Sequence, residues 1–317
     1  MKCLDGRTEK DLANGLIHWL SRPYTLLLAA VFLLTPSSSL LHALESGADF
    51  LNIGAGARAS AMGSAYTALA ADPSAMYYNP GGLALSRSGA ALTHAAWALG
   101  GQYDFAAAAF PVAGLTAGVS FTRLDHGGMD GRAADGTSSG GFSASDKAFG
   151  LGLAGRTGGL SLGASVKFLS SNIAGYSASA VAFDLGAMQK LPSAPLTLGL
   201  AVRNLGAGMK FIDTREPLPL TLSAGAALAV LPGVNLAAEF TRLATDKRNS
   251  FSLGTEYAMP GGLSLRGGYA AAYSGAGSQG AMSGGIGLDA GPLRLDYSFT
   301  PFGDIDTTRK FSLAMAF

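Results

Sequence analysis

The sequence predicts an all-β protein, a 14-stranded antiparallel transmembrane β-barrel with an N-terminal plug segment of helix and turn. Three observations predict this fold. From residue 86 to the end, apolar residues alternate with small or polar residues at the period of a β-strand. Only 14% of the residues are charged, against about a quarter in soluble domains, and 45 are glycine. Long apolar runs are missing, which argues against a bundle of transmembrane helices.

Residues 1–43 have the pattern of an export signal peptide. Basic residues precede an apolar core from Tyr24 to Leu34, which at 11 residues is too short to span a bilayer as a helix. We expect cleavage after Ala43; an uncleaved membrane anchor is the alternative. The only cysteine, Cys3, lies in this signal, so the mature chain would have no disulfide and no thiolate site. Acidic and basic residues would then be equal in number, which gives no electrostatic case for binding nucleic acid.

Residues 44–85 differ from the rest of the chain and are predicted to form a plug inside the barrel. The stretch 59–70 favours a helix, Asp72-Pro73 suits the start of a short helical turn, and Asn79-Pro80 followed by two glycines predicts a turn into the first strand. Soft and aromatic side chains of the plug are candidates for lining an apolar ligand pocket. Packing against the barrel wall is the alternative. The candidate plug and ligand residues are Arg58, Met62, Tyr66, Met76, Tyr77, Tyr78, Asn79 and Pro80.

Residues 86–317 are predicted to form the barrel itself. In one strand, Leu196, Leu198 and Leu200 share one face, and the other face carries small or polar residues. The apolar face suits contact with lipid, and a face of glycine, alanine, serine and threonine suits a lumen that holds water or a plug. A tilted strand crosses a membrane in roughly 9–11 residues, so the length of the chain suits an even number of strands near fourteen. The predicted strands are 88–99, 102–111, 115–124, 147–155, 160–169, 178–190, 196–204, 219–230, 234–241, 250–257, 263–273, 279–289, 293–300 and 308–317.

The connections between these strands alternate in length and composition. Tight turns rich in glycine or proline follow every second strand, whereas several of the opposite connections are longer and polar. Short periplasmic turns and long extracellular loops are typical of outer-membrane barrels. The chain ends in an alternating strand that closes on Phe317, similar to the signal that such barrels present to their assembly machinery. That machinery and membrane lipid are therefore predicted partners. The long connections are 126–146, 206–217, 242–249 and 302–307.

Motifs that suggest catalysis or cofactor binding are weak in this chain. Residues 54–59 match the loose dinucleotide-binding fingerprint, but that fingerprint needs a βαβ unit, and hairpins follow here. Residues 159–163 match the nucleophile-elbow pattern, but Ser161 lies in an alternating strand. His94 and His126 are the only histidines after the signal, and no acid–base or metal-binding set surrounds either. We therefore expect no enzyme activity, no cofactor and no metal.

Charged residues are predicted on the lumen face of the strands. Their signs are mixed, which favours ion-pair networks that brace the interior over a pore lined with one sign of charge. Arg58 of the plug is a candidate member of such a network. The predicted lumen charges are Lys167, Asp184, Arg203, Glu239, Glu256, Arg266, Arg294 and Asp296.

The plug carries a family resemblance. The run GARASAMGSAYTALAADPSAMYYNPGGLA, followed by an all-strand chain that ends on phenylalanine, resembles the PorV/PorQ group within the FadL-like superfamily of long-chain fatty acid transporters. The resemblance is sharp over residues 54–84 and rests on architecture in the remaining barrel. Where relatives commonly read Asn-Pro-Ala-Gly, this chain has Asn79-Pro80-Gly81-Gly82. The departure keeps the turn but removes a side chain that would contact the lumen at residue 81.

The resemblance implies a barrel in the outer membrane of a Gram-negative-type bacterium, with its N-terminal segment folded into the lumen. In the transporter branch that segment acts as a hatch, and apolar ligands leave sideways through a gap in the wall. The leading expectation is therefore passive passage of small hydrophobic molecules. The alternative is an accessory role in type IX secretion or surface assembly, in which residues 126–146 contact the secretion machinery. A general diffusion porin, which needs an open lumen, is a third hypothesis.

Overall fold

The computed structural model describes residues 46–97, 100–274, 277–302 and 306–317. The predicted signal peptide, residues 1–43, lies outside them. Within these ranges fourteen strands pair antiparallel with their neighbours and form a closed barrel, in which the last strand pairs with the first. The predicted barrel is thereby confirmed. Its strands are β1 (Gly89–Ala96), β2 (Gln102–Val112), β3 (Leu115–Arg132), β4 (Ser138–Thr157), β5 (Leu160–Ile173), β6 (Tyr176–Lys190), β7 (Leu196–Gly206), β10 (Thr221–Leu231), β11 (Val234–Leu243), β12 (Arg248–Ala258), β13 (Leu263–Ser274), β14 (Gly277–Ala290), β15 (Leu293–Phe302) and β16 (Asp306–Ala316).

Two short strands lie outside the barrel sheet. β8 (Met209–Phe211) and β9 (Thr214–Glu216) pair with each other in the connection between β7 and β10. This connection was predicted as a polar loop over residues 206–217. It instead contains a small hairpin at the long-loop end of the barrel.

Each barrel strand presents apolar side chains outward and smaller or polar side chains inward. In β15, Leu295 is 52% exposed and the adjacent Asp296 is 7% exposed. Exposed leucine, valine, phenylalanine, isoleucine, tyrosine or methionine side chains recur around the whole outer surface. This belt suits contact with lipid, as the alternation in the sequence predicts. In the described ranges, no helix is both long enough and apolar enough to cross a membrane.

The connection predicted as a long polar loop over residues 126–146 is mostly strand, so that prediction is wrong. β3 and β4 continue past their neighbours and form a hairpin whose turn covers residues 133–137. β2 pairs with β3 only as far as Asp125, and β5 pairs with β4 only as far as Ala144. The hairpin therefore projects roughly 20 Å beyond β2, at about 3.3 Å per strand residue.

A bulge interrupts the pairing of β6 with β7. The register shifts between Phe183 and Leu185, and Asn204 on β7 has a φ of 62°. As a result both Arg203 and Asn204 are buried, although strict alternation would turn one of them outward. The bulge thus supplies two consecutive polar side chains to the interior.

Residues 46–85, called the plug from here on, consist of short helices and turns. The predicted helix over residues 59–70 is wrong in length, because Gly63 and Ser64 adopt left-handed φ angles of 63° and 66° and end the first α-helix. In the described part of the plug the elements are the 3-10 helix η1 (Asp49–Asn52), α1 (Ala57–Ala61), α2 (Ala75–Tyr78) and the 3-10 helix η2 (Pro80–Leu85).

The plug runs through the lumen from the long-loop end to the short-turn end. At its start, Ser46 N donates to Asp246 Oδ1 at 3.0 Å, and Gly47 N donates to Pro217 O at 2.9 Å. Both acceptors lie in connections at the long-loop end of the barrel. The connection that contains Asp246 was predicted as a long loop over residues 242–249, but it is a turn of only residues 244–247, because β11 and β12 continue to Leu243 and Arg248. At the other end of the plug, η2 leads directly into β1 at the side of the tight turns.

The ladder between β14 and β15 is incomplete at the long-loop end. Its last pair is Gly284 with Phe299. Beyond this pair, residues 277–283 have partners on β13, and residues 300–302 have partners on β16, with no cross-pairing described between the two stretches. We call this unpaired part of the wall the seam.

Candidate functional site

The plug side chains that are candidates for ligand contact lie against the wall. Met62, Tyr66 and Met76 are each at most 1% exposed. The cavity beside Met76 and Tyr77 measures about 10 Å³, which is at most the space of one water molecule. These side chains therefore fill the lumen in this state of the protein. Of the other candidates, Tyr78, Asn79 and Pro80 are buried, and Arg58 and Tyr77 are partly exposed.

Inward-facing glycines of the wall provide the space that the plug occupies. A Cβ on Gly118 would lie 2.6 Å from the sulfur of Met76, and a Cβ on Gly152 would lie 2.7 Å from the same atom. Similarly, a Cβ on Gly254 would lie 2.6 Å from Met62 O. The small residues of the lumen face are thus sites of close contact with the plug.

Asn79 holds the corner between the plug and the barrel. Its side-chain amide donates to Thr67 O at 2.9 Å and to Ala187 O at 3.1 Å, and its Oδ1 accepts from Gly81 N at 3.1 Å. A Cβ on Gly81 would lie 2.8 Å from Gly186 O on β6. An alanine here, as in Asn-Pro-Ala-Gly, would require the wall or the corner to move. The glycine therefore matches the close approach of this corner to the wall.

Arg58 connects the plug to an ion-pair network on the wall. Its guanidinium donates to both carboxylate oxygens of Glu256, each at 2.8 Å. Arg266 donates to Glu256 at 2.7 Å and to Asp296 at 2.7 Å. Charges therefore alternate in sign along Arg58, Glu256, Arg266 and Asp296. Shared hydrogen bonds of this kind offset the cost of burying ionised groups.

A second acidic side chain holds the middle of the plug. Glu239 of β11 accepts from the backbone N–H groups of Tyr66 and Thr67, both at 2.8 Å. The Tyr66 hydroxyl accepts from Arg58 at 2.9 Å and donates to Asp72 at 2.6 Å. Burial raises the pKa of Tyr66 well above its ordinary value, so this hydroxyl remains a donor. The plug thus has two separate acidic anchors on the wall.

The remaining predicted lumen charges also face inward. Lys167 pairs with Asp184 at 2.9 Å. Arg203 donates to Tyr77 O at 3.3 Å, and its guanidinium carbon lies 5.0 Å from the centroid of the Tyr77 ring. Arg294 is half-buried near the short-turn end. The mixed signs predicted from sequence therefore correspond largely to contacts within the protein.

Asp289 and Lys310 are among the charged residues of the described lumen face that the sequence prediction omitted. Asp289 pairs with Arg294 at 2.5 Å. Lys310 is buried on β16 between the exposed Arg309 and Phe311, so the alternation of that strand already indicated its inward position. No group of three or more acidic, histidine or cysteine residues in the described ranges is arranged to hold a metal ion.

Helix α1 lies directly behind the seam. The Ser283 hydroxyl accepts from Gly63 N at 3.0 Å and donates to Ala61 O at 3.1 Å. On the outer surface a groove of about 780 Å³ begins below the seam, and its apolar lining includes Ile286 and Leu295. The seam therefore has α1 on its inner side, and the mostly apolar groove lies next to its short-turn end on the outer surface.

No family model matches the chain, and no curated protein matches it in sequence. Solved structures match it in fold. The CymD monoaromatic hydrocarbon channel has a TM-score of 0.62 and 14% identity, over 84% of this chain and 98% of that one. This chain therefore shares its fold with that channel.

Two further structures extend this comparison. The toluene transporter TodX of Pseudomonas putida has a TM-score of 0.63 and 15% identity, over 83% of this chain and 99% of that one. A FadL homologue of Pseudomonas aeruginosa has a TM-score of 0.61 and 13% identity, over 81% of this chain and 97% of that one. The predicted FadL-like barrel is thus confirmed as a fold.

Proposed function

We propose that this protein is an outer-membrane channel for the passive passage of small hydrophobic molecules. The observation that carries the proposal is the seam, which has α1 on its inner side and a mostly apolar groove of the outer surface next to its short-turn end. The fold is shared with a hydrocarbon channel and a toluene transporter. Those neighbours are transport proteins, which supports a role in transport over one in catalysis.

A hydrophobic molecule does not need the water-filled path of a general porin. The plug fills the middle of the lumen with buried side chains such as Met62 and Tyr66, which argues against the porin hypothesis. A molecule that enters at the long-loop end would reach α1. Release of the Ser283 hydrogen bonds would then let α1 move away from the seam. Transfer of the apolar surface of the transported molecule from water to lipid would drive its exit along the groove.

Closing the seam with a disulfide is expected to stop this passage. Cysteines replace Met282 and Pro301, the next alternate positions beyond the last pair of β14 and β15. Because both strands then remain linked, uptake of radiolabelled toluene by intact cells should fall to the level of cells without the protein. Reduction of the disulfide should restore uptake, and gel mobility would verify that the bond forms.

The matched control places a disulfide in a complete part of the wall. Leu253→Cys with Tyr269→Cys joins two outward-facing partners of β12 and β13, where the strands are already hydrogen-bonded. This variant should take up toluene at the wild-type rate whether oxidised or reduced. Wild-type uptake by the oxidised seam variant would exclude the seam as the route.

The second candidate function is a PorV-like accessory role in type IX secretion or surface assembly, and the projecting β3–β4 hairpin favours it. Residues 126–132 and 138–142 lack barrel neighbours on their outer sides among the described strand pairs, and exposed strand edges suit pairing with an extended partner segment. Replacing residues 127–142 by a tight turn should abolish co-purification of secretion-machinery components and leave toluene uptake unchanged. Unchanged co-purification would contradict this role.

We also propose that Phe317 presents the chain to the barrel assembly machinery. Its side chain is 72% exposed just beyond β16, and its backbone N–H donates to Ser88 O at 3.0 Å. The aromatic ring is therefore displayed at the point where the first and last strands meet.

A further inference from the structure

Two neighbouring connections at the short-turn end of the barrel enclose a cavity of about 570 Å³. One is the turn between β4 and β5, and the other joins β6 to β7. Strand β5 pairs with both β4 and β6, so the two connections lie side by side. The lining consists of Arg156, Gly158, Gly159, Lys190 and residues 191–195. No acidic side chain belongs to it.

The cavity carries two exposed cations, Arg156 and Lys190. Arg156 Nε donates to Gly158 O at 2.9 Å, which holds the guanidinium at the turn and leaves its two terminal amino groups available to a ligand. Neither cation forms an ion pair within the described ranges. By contrast Arg294, which also lies near the short-turn end, pairs with Asp289 at 2.5 Å. The cavity therefore has a concentrated positive charge that no carboxylate of its lining offsets.

Apolar surface adjoins the cavity on the outer wall. Leu153 of β4, Leu162 of β5 and Leu185 of β6 are all exposed there. Leu162 is three residues from Gly159, which is roughly 10 Å along a strand. The two cations thus lie just beyond the edge of the lipid-facing belt, at the depth where lipid headgroups meet a barrel.

We propose that Arg156 and Lys190 bind the phosphate group of an anionic phospholipid. Short turns of outer-membrane barrels face the periplasm, so the lipid belongs to the periplasmic leaflet. Two like charges on one cavity repel each other, and a phosphate between them offsets that repulsion. The guanidinium fork matches two phosphate oxygens, and the ammonium adds a point charge.

The neighbouring leucines favour a lipid over other anions. A phospholipid bound at the cations extends its acyl chains along Leu153, Leu162 and Leu185, so it uses both the charges and the apolar surface. Inorganic phosphate or an acidic protein segment would use the charges alone. A zwitterionic lipid carries its own ammonium, which would meet two further cations. The chemistry of the site therefore selects a phospholipid with a net negative charge.

The site goes beyond the proposed passage of hydrophobic molecules. It lies at the opposite end of the barrel from the seam, on β4, β5 and β6 rather than on β14 and β15. A lipid bound there would fix the height of the barrel in the periplasmic leaflet. Binding of that lipid and uptake of toluene are separate measurements, so the two proposals can fail independently.

Native mass spectrometry of the detergent-purified full chain, titrated with phosphatidylglycerol, tests the proposal. We expect saturable binding of the lipid. Arg156→Gln and Lys190→Gln should each raise its dissociation constant by about fivefold, because each removes one cation that attracts an anionic headgroup. Equal dissociation constants in the wild type and the double variant would overturn the proposal.

The matched controls remove cations at the other end of the wall. Lys147 and Arg309 are exposed, outward-facing residues near the long-loop end, and Lys147→Gln with Arg309→Gln should leave lipid binding unchanged. Weakening equal to that of the Arg156→Gln and Lys190→Gln double variant would mean general attraction between charges rather than a site. All four substituted side chains are exposed, so folding should be retained, and heat-modifiable gel mobility would verify it.

Competitors then test which anion the site takes. Phosphatidylcholine, which has the same phosphate and acyl chains but an added ammonium, should displace phosphatidylglycerol only at higher concentrations. Inorganic phosphate should displace it far less effectively than either lipid. Displacement by inorganic phosphate or by a hexaglutamate peptide at concentrations as low as those of phosphatidylglycerol would assign the cavity to a free anion or to an acidic protein segment, and would overturn the lipid site.

Discussion

Gly82→Ala is expected to prevent most of the protein from assembling as a folded barrel. A Cβ on Gly82 would lie 1.7 Å from Ala70 O and 3.1 Å from the sulfur of Met188. Overpacking of a well-packed interior costs about 1–3 kcal/mol and occasionally more. Here the obstructing atom belongs to the backbone, which cannot rotate away as a side chain does. The measurement is the heat-modifiable, folded fraction of the protein in isolated outer membranes.

Gly128→Ala is the matched control for this substitution. Gly128 lies in the projecting part of β3, and a Cβ there would have no atom within 4 Å. The same chemical change should therefore leave the folded fraction at the wild-type level. A Gly82→Ala protein that assembles as well as Gly128→Ala would show that the plug does not pack against the wall at the distances described.

Glu256→Ala is expected to cause the largest loss of stability among the charged residues. The substitution leaves the guanidinium groups of Arg58 and Arg266 without the carboxylate that both contact. Removing one partner of a buried ion pair costs about 3–5 kcal/mol, a large part of the roughly 5–15 kcal/mol that stabilises a typical domain. Urea-induced unfolding in detergent, followed by circular dichroism, would measure the shift.

Asp104→Ala is the control for the loss of a carboxylate. Asp104 pairs with His94 at 2.8 Å on the outer surface, where the two side chains are 40% and 58% exposed. Because Asp104→Ala breaks a single contact and leaves no buried guanidinium without its partner, the urea midpoint should change far less than in Glu256→Ala. Equal destabilisation by the two substitutions would mean that the network does not brace the plug against the wall.

The barrel was predictable from the sequence because every strand that crosses a membrane needs an apolar face toward lipid. Residues that meet lipid must be apolar, so Leu293, Leu295 and Phe299 identify the outward face without any knowledge of their neighbours. Hairpin register also follows from a short turn. Glu256 and Arg266 are direct partners across the β12–β13 turn, so this ion pair could be predicted from the sequence once the position of the turn was known.

Other features depend on contacts that no local pattern encodes. Arg58 meets Glu256 only because the plug docks at one height in the lumen. The β3–β4 hairpin was predicted as a loop because residues 126–146 are rich in glycine and serine, and such residues pair as strands only when a turn aligns them. The early end of α1 depends on Gly63, whose N–H bonds to Ser283 of the wall, a contact that competes with helical continuation.

The pairing of β1 with β16 has a consequence for the order of assembly. These are the first and last strands of the described barrel, so the ring cannot close before β16 has joined the sheet. The plug precedes β1 and touches the wall on several sides, through η2 at β4, β5 and β6 and through α1 at β13, β14 and β15. We therefore expect the sheet to wrap around a plug that is already in place. Once the barrel has closed, the plug could leave the lumen only by moving along the barrel axis.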